Sequence, residues 1–208
     1  MECEQCQYGG VTGRGYHHGA LAEAMVDCAL AAVRERGAEQ VSLRAIAQAL
    51  DVSPSAAYNH FADKDALLLA VGECGLAALD ERMARALAAH PAGSDEAARR
   101  RFAGLGRAYL AFAVEDPHLF RLVFGPICMK AGDLPGDRGP YIKLCAALDD
   151  LEARGLLVAG ARQGLDITVW GATHGVASLI VDGLLPVDAG DALIESFARL
   201  LLRDPGDW

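Results

Sequence analysis

The sequence is poor in aromatic residues and contains no long apolar run. Of its 208 residues, 6% are aromatic and 52% are hydrophobic, so aliphatic side chains supply most of the apolar surface. No run approaches the roughly 18 apolar residues that a membrane-spanning helix needs. The first ten residues, MECEQCQYGG, lack the basic segment and the apolar stretch of a secretory signal. We therefore expect a cytoplasmic protein that does not enter a membrane.

Motifs of catalysis and patterns of β-strands are missing as well. The sequence has no G-x-S-x-G, H-E-x-x-H, phosphate-loop or dinucleotide-binding motif. His174 with Asp182 or Cys145 would form an isolated pair without a positioned nucleophile. No segment alternates apolar and polar residues as a half-buried strand does. We expect an all-α protein of about nine helices that is not an enzyme and carries no cofactor.

What the sequence does contain is a cluster of helix starts between residues 41 and 68. Apolar residues at spacings of i, i+3, i+4 and i+7 predict one buried face of a short helix; they are Leu43, Ile46, Ala47 and Leu50. Ser42 precedes this face and is a candidate N-cap, because serine hydroxyls accept hydrogen bonds from free backbone N–H groups.

A second short helix is predicted directly after the first. Ser53 is its candidate N-cap, and Pro54 occupies the first helical position, where a missing N–H is tolerated. Asp63 is a candidate N-cap for the longer helix that follows. Two short helices joined by a tight turn are typical of the helix-turn-helix, whose second helix enters the major groove of DNA. The pattern therefore predicts a DNA-binding transcriptional regulator.

Residues 19–71 resemble the DNA-binding domain of the TetR family of bacterial regulators. The resemblance is carried by a linked set of short motifs: Leu43-Arg44-x-Ile46-Ala47, Val52-Ser53, Tyr58-x-His60-Phe61 and Lys64-x-x-Leu67-Leu68. Two positions depart from the usual family pattern, because Asp51 stands where glycine is common and Ala57 where a larger apolar residue is usual. The resemblance implies a dimer that binds a palindromic operator of double-stranded DNA, by default as a repressor.

The predicted DNA contacts fall into two groups. Hydroxyl groups, helix-terminal N–H groups and one ammonium group suit phosphate contacts, which set the register on DNA; we assign these to Ser42, Ser53, Ser55, Tyr58 and Lys64. Base reading is assigned to Arg44, Ser55, Ala56, Asn59 and His60, since arginine suits guanine, asparagine suits adenine and alanine suits the thymine methyl group. The alternatives are solvated side chains at 44 and 59 and packing roles at 58 and 60.

The net charge of −9 is unfavourable for a DNA-binding protein, because neutralisation of phosphates dominates affinity. Residues 10–65 carry five basic and seven acidic residues, a net charge of −2. Helix N-termini can add partial positive charge where they face phosphates. We predict weak non-specific binding and a requirement for two linked half-sites.

The last two predicted helices carry more apolar surface than a modest domain can bury. Residues 165–185 are apolar almost all round, and residues 189–203 add Leu193, Ile194, Phe197, Leu200 and Leu201. Gly171 and Gly175 would let another helix approach closely. We predict a homodimer through these two helices, as the family resemblance also implies. Its two-fold axis would place two recognition helices roughly 34–36 Å apart.

A second resemblance, to one subgroup of TetR carboxy-terminal domains, is carried by Trp170-x-x-x-His174-Gly175 and by the segment DPHLFRLVF at residues 116–124. We predict a pocket for a small-molecule effector among helices four to eight, because aromatic walls with few polar groups are typical of such sites. Its candidate lining is Tyr109, Phe112, Phe120, Phe124, Met129, Trp170 and His174. Packing in the core is the alternative for each aromatic residue.

The six cysteines do not form a disulfide framework if the protein is cytosolic. Cys3 and Cys6 form a C-x-x-C pair without a second pair, whereas a structural zinc site needs four ligands. A metal- or thiol-responsive regulator that uses this pair is the alternative function. We divide the chain into a flexible arm (1–15), a helix-turn-helix domain (16–65), and a ligand-binding and dimerisation domain (66–208).

Overall fold

The computed structural model describes residues 18–129 and 139–203, and these residues are almost entirely helical. A single turn of 3-10 helix, Ala38–Gln40, precedes the second of the α-helices. Within the two ranges, β-structure is limited to one isolated bridge between Leu157 and Leu202. The all-α prediction is confirmed. The helices are α1 (His18–Arg36), α2 (Leu43–Ala49), α3 (Pro54–His60), α4 (Lys64–Ala88), α5 (Asp95–Glu115), α6 (Pro117–Val123), α7 (Gly139–Ala153), α8 (Leu165–Val181) and α9 (Ala189–Leu201).

Side-chain caps fix the starts of three helices. The hydroxyl oxygen of Ser53 accepts a hydrogen bond from the Ala56 N–H at 3.2 Å, and the carboxylate of Asp63 accepts one from the Ala66 N–H at 2.8 Å. Ser94 caps α5 in the same way. Ser42 stands at the N-cap position of α2, as predicted. The hydrogen bond predicted for its side chain is wrong, because that side chain makes no capping hydrogen bond.

The long helix α4 joins the two halves of the molecule. Its first turns pack against α1, where Leu67, Leu68 and Val71 are fully buried. Its later turns pack against α5 and α7, and there Leu79 and Met83 are buried. The predicted boundary after residue 65 therefore falls at the start of a helix that belongs to both cores. No helix in the described parts of the chain is long and apolar enough to cross a membrane.

Two predicted helix ends lie too far along the chain. The segment expected to run to residue 185 ends at Val181, because Gly183 has a φ of 71° and reverses the backbone. The segment expected to run to 203 ends at Leu201, since Leu202 is extended and pairs with Leu157. These loops are fixed by a left-handed glycine and by a contact between distant segments, which helical periodicity does not reveal.

The short helix α6 lies against both α1 and α4. A guanidinium nitrogen of Arg34 in α1 lies 3.2 Å from a carboxylate oxygen of Asp116, directly before α6. On α4, a β-carbon built on Gly75 would lie 2.6 Å from Val123 and 2.9 Å from Leu119. The absence of a side chain at Gly75 thus allows α6 to approach the backbone of α4.

Candidate DNA-binding surface and effector site

The turn between α2 and α3 is built by a left-handed residue and one backbone hydrogen bond. Asp51 has a φ of 54°, a conformation that glycine adopts more easily and that asparagine and aspartate tolerate among other residues. The N–H of Val52 donates to the carbonyl of Ala47 at 3.0 Å, which ends α2 and starts the link to α3. The aspartate at the usual glycine position is therefore compatible with the helix-turn-helix geometry.

Helix α3 presents a polar face to solvent and buries one small residue. Ala57 is fully buried against the neighbouring helices, while Ser55, Tyr58 and Asn59 are exposed. Tyr58 is 46% exposed, so its ring is not a core residue. A slim inward side and a polar outward side are what a helix needs to lie in the major groove.

The remaining residues predicted to contact DNA lie around this face and differ in their exposure to solvent. Ser42 and Arg44 are exposed at the start of α2, Ser53 is exposed at the start of α3, and Ala56 and His60 are partly buried. Lys64 is also partly buried, and its ammonium group donates to the carbonyl oxygen of Glu39 at 2.7 Å. Lys64 therefore holds the 3-10 turn against α4, a role that the sequence motif did not reveal.

Five of the seven predicted pocket residues form one aromatic cluster, and Tyr109 of α5 lies at its centre. Its ring contacts those of Phe120, Phe124, Trp170 and His174, with centroids 5.2–6.4 Å apart. Three of these contacts have edge-to-face geometry, which aromatic pairs favour. The cluster connects α5, α6 and α8.

A hydrogen bond lies inside the aromatic cluster. The Tyr109 hydroxyl is 2.8 Å from Nδ1 of His174, which leaves Nε2 of the histidine for another partner. Burial lowers the pKa of His174, since the charged imidazolium form loses solvation. Burial also raises the pKa of Tyr109 well above its ordinary value. Both side chains are therefore neutral near pH 7.

The other two predicted pocket residues lie elsewhere. Phe112 is 1% exposed and belongs to the core, and Met129 lies at the end of the first described range. Neither lines the two spaces that flank the aromatic cluster in the described part of the chain. Periodicity could not separate Phe112 from the residues of the aromatic cluster, because it lies at helical spacing from Tyr109.

One of the two spaces is a narrow cavity of about 20 Å³ between α4, α5, α7, α8 and α9. Tyr109 and Trp170 form part of its wall, and the other lining residues were missed at the sequence level: Met83, Phe102, Leu105, Gly106, Leu144, Val169, Thr173, Ile194 and Phe197. Phe102, Leu105 and Tyr109 recur at helical spacing along α5, a signal that could have extended the predicted lining to the first two. The second space is an open groove of about 240 Å³ beside Arg121 and His174.

Comparisons with known proteins bear on both halves of the chain. A family model described as "Bacterial regulatory proteins, tetR family" matches residues 26–71, and a second, described as "Tetracyclin repressor-like, C-terminal domain", matches residues 102–203. The chain belongs to the TetR family. It is therefore a helix-turn-helix regulator of transcription, a class whose members bind DNA and are not enzymes. No curated protein matches the chain.

Solved structures share this TetR fold over most of their length. A protein with unknown function from Rhodococcus sp. RHA1 is 28% identical with a TM-score of 0.71, covering 88% of this chain and 98% of that one. RolR in complex with resorcinol is 16% identical with a TM-score of 0.62, covering 88% of each chain. PfmR from Thermus thermophilus is 21% identical with a TM-score of 0.59, covering 85% of this chain and 97% of that one. The last two likenesses show the fold alone.

The cysteine-based alternative has no support in the described part of this TetR-family protein. Among the described residues, no group of three or more histidine, cysteine, aspartate and glutamate side chains could hold a metal ion. Cys3 and Cys6 lie outside the described residues, as does the predicted flexible arm.

Proposed function

We propose that this protein is a repressor that binds a palindromic operator as a homodimer and is released from DNA by a small-molecule effector. The observation that carries the proposal is α3, a capped helix that exposes Ser55, Tyr58 and Asn59 while it buries only Ala57. Asn59 would read adenine, and Arg44 at the start of α2 would read guanine. Ser42, Ser53, Ser55 and Tyr58 would contact phosphates, and Ala56 and His60 would lie at the groove floor.

An uncovered apolar face supports the homodimer. Along α8, residues at spacings of four share one side of the helix: Ile167, Gly171, Gly175 and Leu179. Ile167 is 54% exposed and Leu179 is 40% exposed, and a β-carbon built on either glycine would meet nothing within 4 Å. Two such helices could approach closely across a two-fold axis.

Helix α9 and the loop before it extend the same apolar surface. Leu200 is 72% exposed, Leu184 is 71% exposed and Val187 is 62% exposed. Several exposed large aliphatic residues on α8, on α9 and in the loop between them are typical of an interaction surface. A second copy of the chain satisfies this surface, and it also supplies the second recognition helix that a palindrome needs.

The position of α6 supports coupling between the effector and DNA. Phe120 of α6 and Phe124, directly after it, contribute to the aromatic cluster, and Arg121 donates to Asp182 after α8 at 2.9 Å. The same helix reaches α1 through the ion pair of Arg34 with Asp116. An effector that displaced α6 would move the helix-turn-helix, and it would favour a dimer whose recognition helices no longer match the groove spacing.

RolR, a structural neighbour, binds resorcinol, which supports the idea that this fold accommodates a small molecule. The proposed pocket wall comprises Tyr109, Phe120, Phe124, Trp170 and His174, whereas Phe112 and Met129 line neither of the two spaces beside it. The predicted domain boundaries at residues 15 and 65 belong to the same proposal.

Selection of bound sites from a random DNA library at physiological salt tests the proposal. We expect enrichment of one palindrome, and an Asn59→Ala variant should lose preference within each half-site. The control is Arg85→Ala, because Arg85 lies on α4 and pairs only with Glu81 of the same helix among the contacts described. A folded dimer that enriches no sequence, before and after unfolding, dialysis and refolding to remove a bound effector, would contradict the proposal.

A further inference from the structure

The narrow cavity between α4, α5, α7, α8 and α9 has an uncharged lining. The polar side-chain groups among its lining residues are the hydroxyls of Thr173 and Tyr109 and the indole N–H of Trp170. Thr173 is buried, and its hydroxyl donates to the carbonyl of Val169 at 2.8 Å. The Tyr109 hydroxyl is bonded to His174 at the cluster side. Because the Thr173 hydroxyl donates its proton within α8, its oxygen lone pairs remain available to a donor group of a ligand.

An uncharged wall sets the chemistry of what can enter. A charged group placed here would lose its hydration without gaining a counter-ion, which is strongly unfavourable. Burial keeps the Tyr109 hydroxyl protonated by raising its pKa, so it supplies no negative charge for a cation. The charged pair of Arg121 and Asp182 lies at the other space, the open groove.

We infer that this cavity is the effector site and that it takes a neutral, mainly apolar molecule about the size of one aromatic ring, with no more than one or two hydrogen-bonding groups. The inference rests on the proposed function as a ligand-responsive regulator. Arg121 and His118, which would suit an anionic effector, do not line the cavity.

The cavity is too small for such a molecule in this structure, so binding requires lining side chains to move. Its volume of about 20 Å³ has room for about one water molecule, whereas an engineered cavity that binds benzene measures about 150 Å³. The Cδ1 atom of Ile194 covers Gly106, lying 2.3 Å from where a β-carbon of that glycine would be. Met83 is a flexible neighbour in the same wall.

Opening this cavity would also reach the proposed dimer surface. Ile194 belongs to α9, and the same helix carries the exposed Leu200. A ring inserted beneath Ile194 would push α9 outward relative to α5. The effector site would therefore act on the position of the second subunit as well as on α6.

Tryptophan fluorescence of the full chain tests the inference without DNA. A Trp208→Phe variant leaves Trp170, which lines the cavity, as the single tryptophan. It is titrated with toluene, phenol, benzoate and benzylamine at pH 7.5. We expect saturable changes with toluene and phenol, and at least tenfold weaker binding of the two ions. Equal or tighter binding of benzoate, or no saturable response to either neutral probe, would overturn the inference.

Two alanine variants locate the probe. Gly106→Ala places a methyl group in the space beside Ile194 and should weaken binding of phenol at least tenfold. Gly104→Ala on the same helix is the matched control, because its β-carbon meets nothing closer than 3.6 Å, and it should bind as the parent does. Leu144→Phe, which fills the cavity from α7, replaces Gly106→Ala if that variant does not fold. Binding of phenol that survives both filling variants would exclude this cavity.

The test of the effector cavity and the test of the proposed DNA-binding function can fail independently. Neutral probes that bind to the cavity while no DNA sequence is enriched would reject the repressor and leave the site intact. Enrichment of a palindrome together with tight benzoate binding that Arg121→Gln abolishes would keep the repressor and move its effector to the open groove.

Discussion

Replacing Leu200 with glutamate should dissociate the proposed dimer and leave the protomer folded. Leu200 is 72% exposed on α9 in the single chain, so the protomer gains little from its packing. Ile194 and Phe197 of the same helix are buried and hold α9 against the rest of the protomer. The substitution therefore separates the surface between two copies from the core within one copy.

The expected magnitude follows from the area that dimerisation would cover. Fully burying a leucine side chain contributes about 1.5–3 kcal/mol, and about 70% of that remains available to a partner at this position, roughly 1–2 kcal/mol. Because a two-fold axis repeats the change, the dimer should lose about 2–4 kcal/mol, a rise in its dissociation constant of roughly 30- to 700-fold. Burying a carboxylate in the interface adds to this loss.

Sedimentation equilibrium measures the dissociation constant, and far-UV circular dichroism reports the helix content. Leu69→Glu is the matched control, because Leu69 is 38% exposed on α4 and lies in the half of the chain that binds DNA. We expect this control to remain a dimer. An unchanged dissociation constant for Leu200→Glu with unchanged helix content would refute the assignment of α9 to the interface.

Three further predictions concern base recognition by Arg44, the packing of α6 against α4, and the buried His174. Arg44→Ala should weaken binding to the selected operator by about 1–3 kcal/mol and relax the preference at one base pair, as measured by fluorescence anisotropy on operator variants; unchanged selectivity would remove Arg44 from the base-reading residues. Gly75→Ala should destabilise the protein by about 1–3 kcal/mol in urea unfolding, because its β-carbon would overlap Val123, whereas Gly104→Ala should be neutral or stabilising. Since burial lowers the pKa of His174, the unfolded chain binds a proton at higher pH than the folded chain, so the free energy of unfolding should fall as pH decreases through about 6.5, by at most about 1.4 kcal/mol per pH unit. This decline should be smaller in His174→Gln, and an equal decline in both proteins would contradict a neutral buried histidine.

The helix-turn-helix was predictable because its signals are local. Ser53, Pro54 and Asp63 act at helix starts through contacts within a few residues. The structure places Ser53 and Pro54 at the start of α3 and Asp63 at the start of α4, as predicted. The failure of Ser42 as a side-chain cap shows the limit of this reasoning, since serine at an N-cap position does not by itself fix its rotamer. Lys64 shows the same limit, because its partner, the Glu39 carbonyl, lies 25 residues away in sequence.

The proposed effector site was predictable only in part, because its lining comes from five helices. Aromatic residues at helical spacing predicted Tyr109 and Trp170, which line the cavity, but Phe112 has the same spacing and lies in the core. Gly106 and Ile194 form the closure of the cavity through a contact across 88 residues, and neither has a distinctive sequence pattern. Such sites become visible only when the helices are placed relative to one another.

Binding to two DNA duplexes at physiological salt tests most directly whether one dimer reads a palindrome. One carries the selected palindrome, and the other has one half-site replaced by random sequence of the same length. We expect one dimer to bind the first duplex tightly. The second should bind at least a hundredfold more weakly, because a chain with a net charge of −9 gains little from phosphate attraction alone. Equal affinity for the two duplexes, or one protomer bound to each, would contradict a dimer whose two α3 helices read one palindrome.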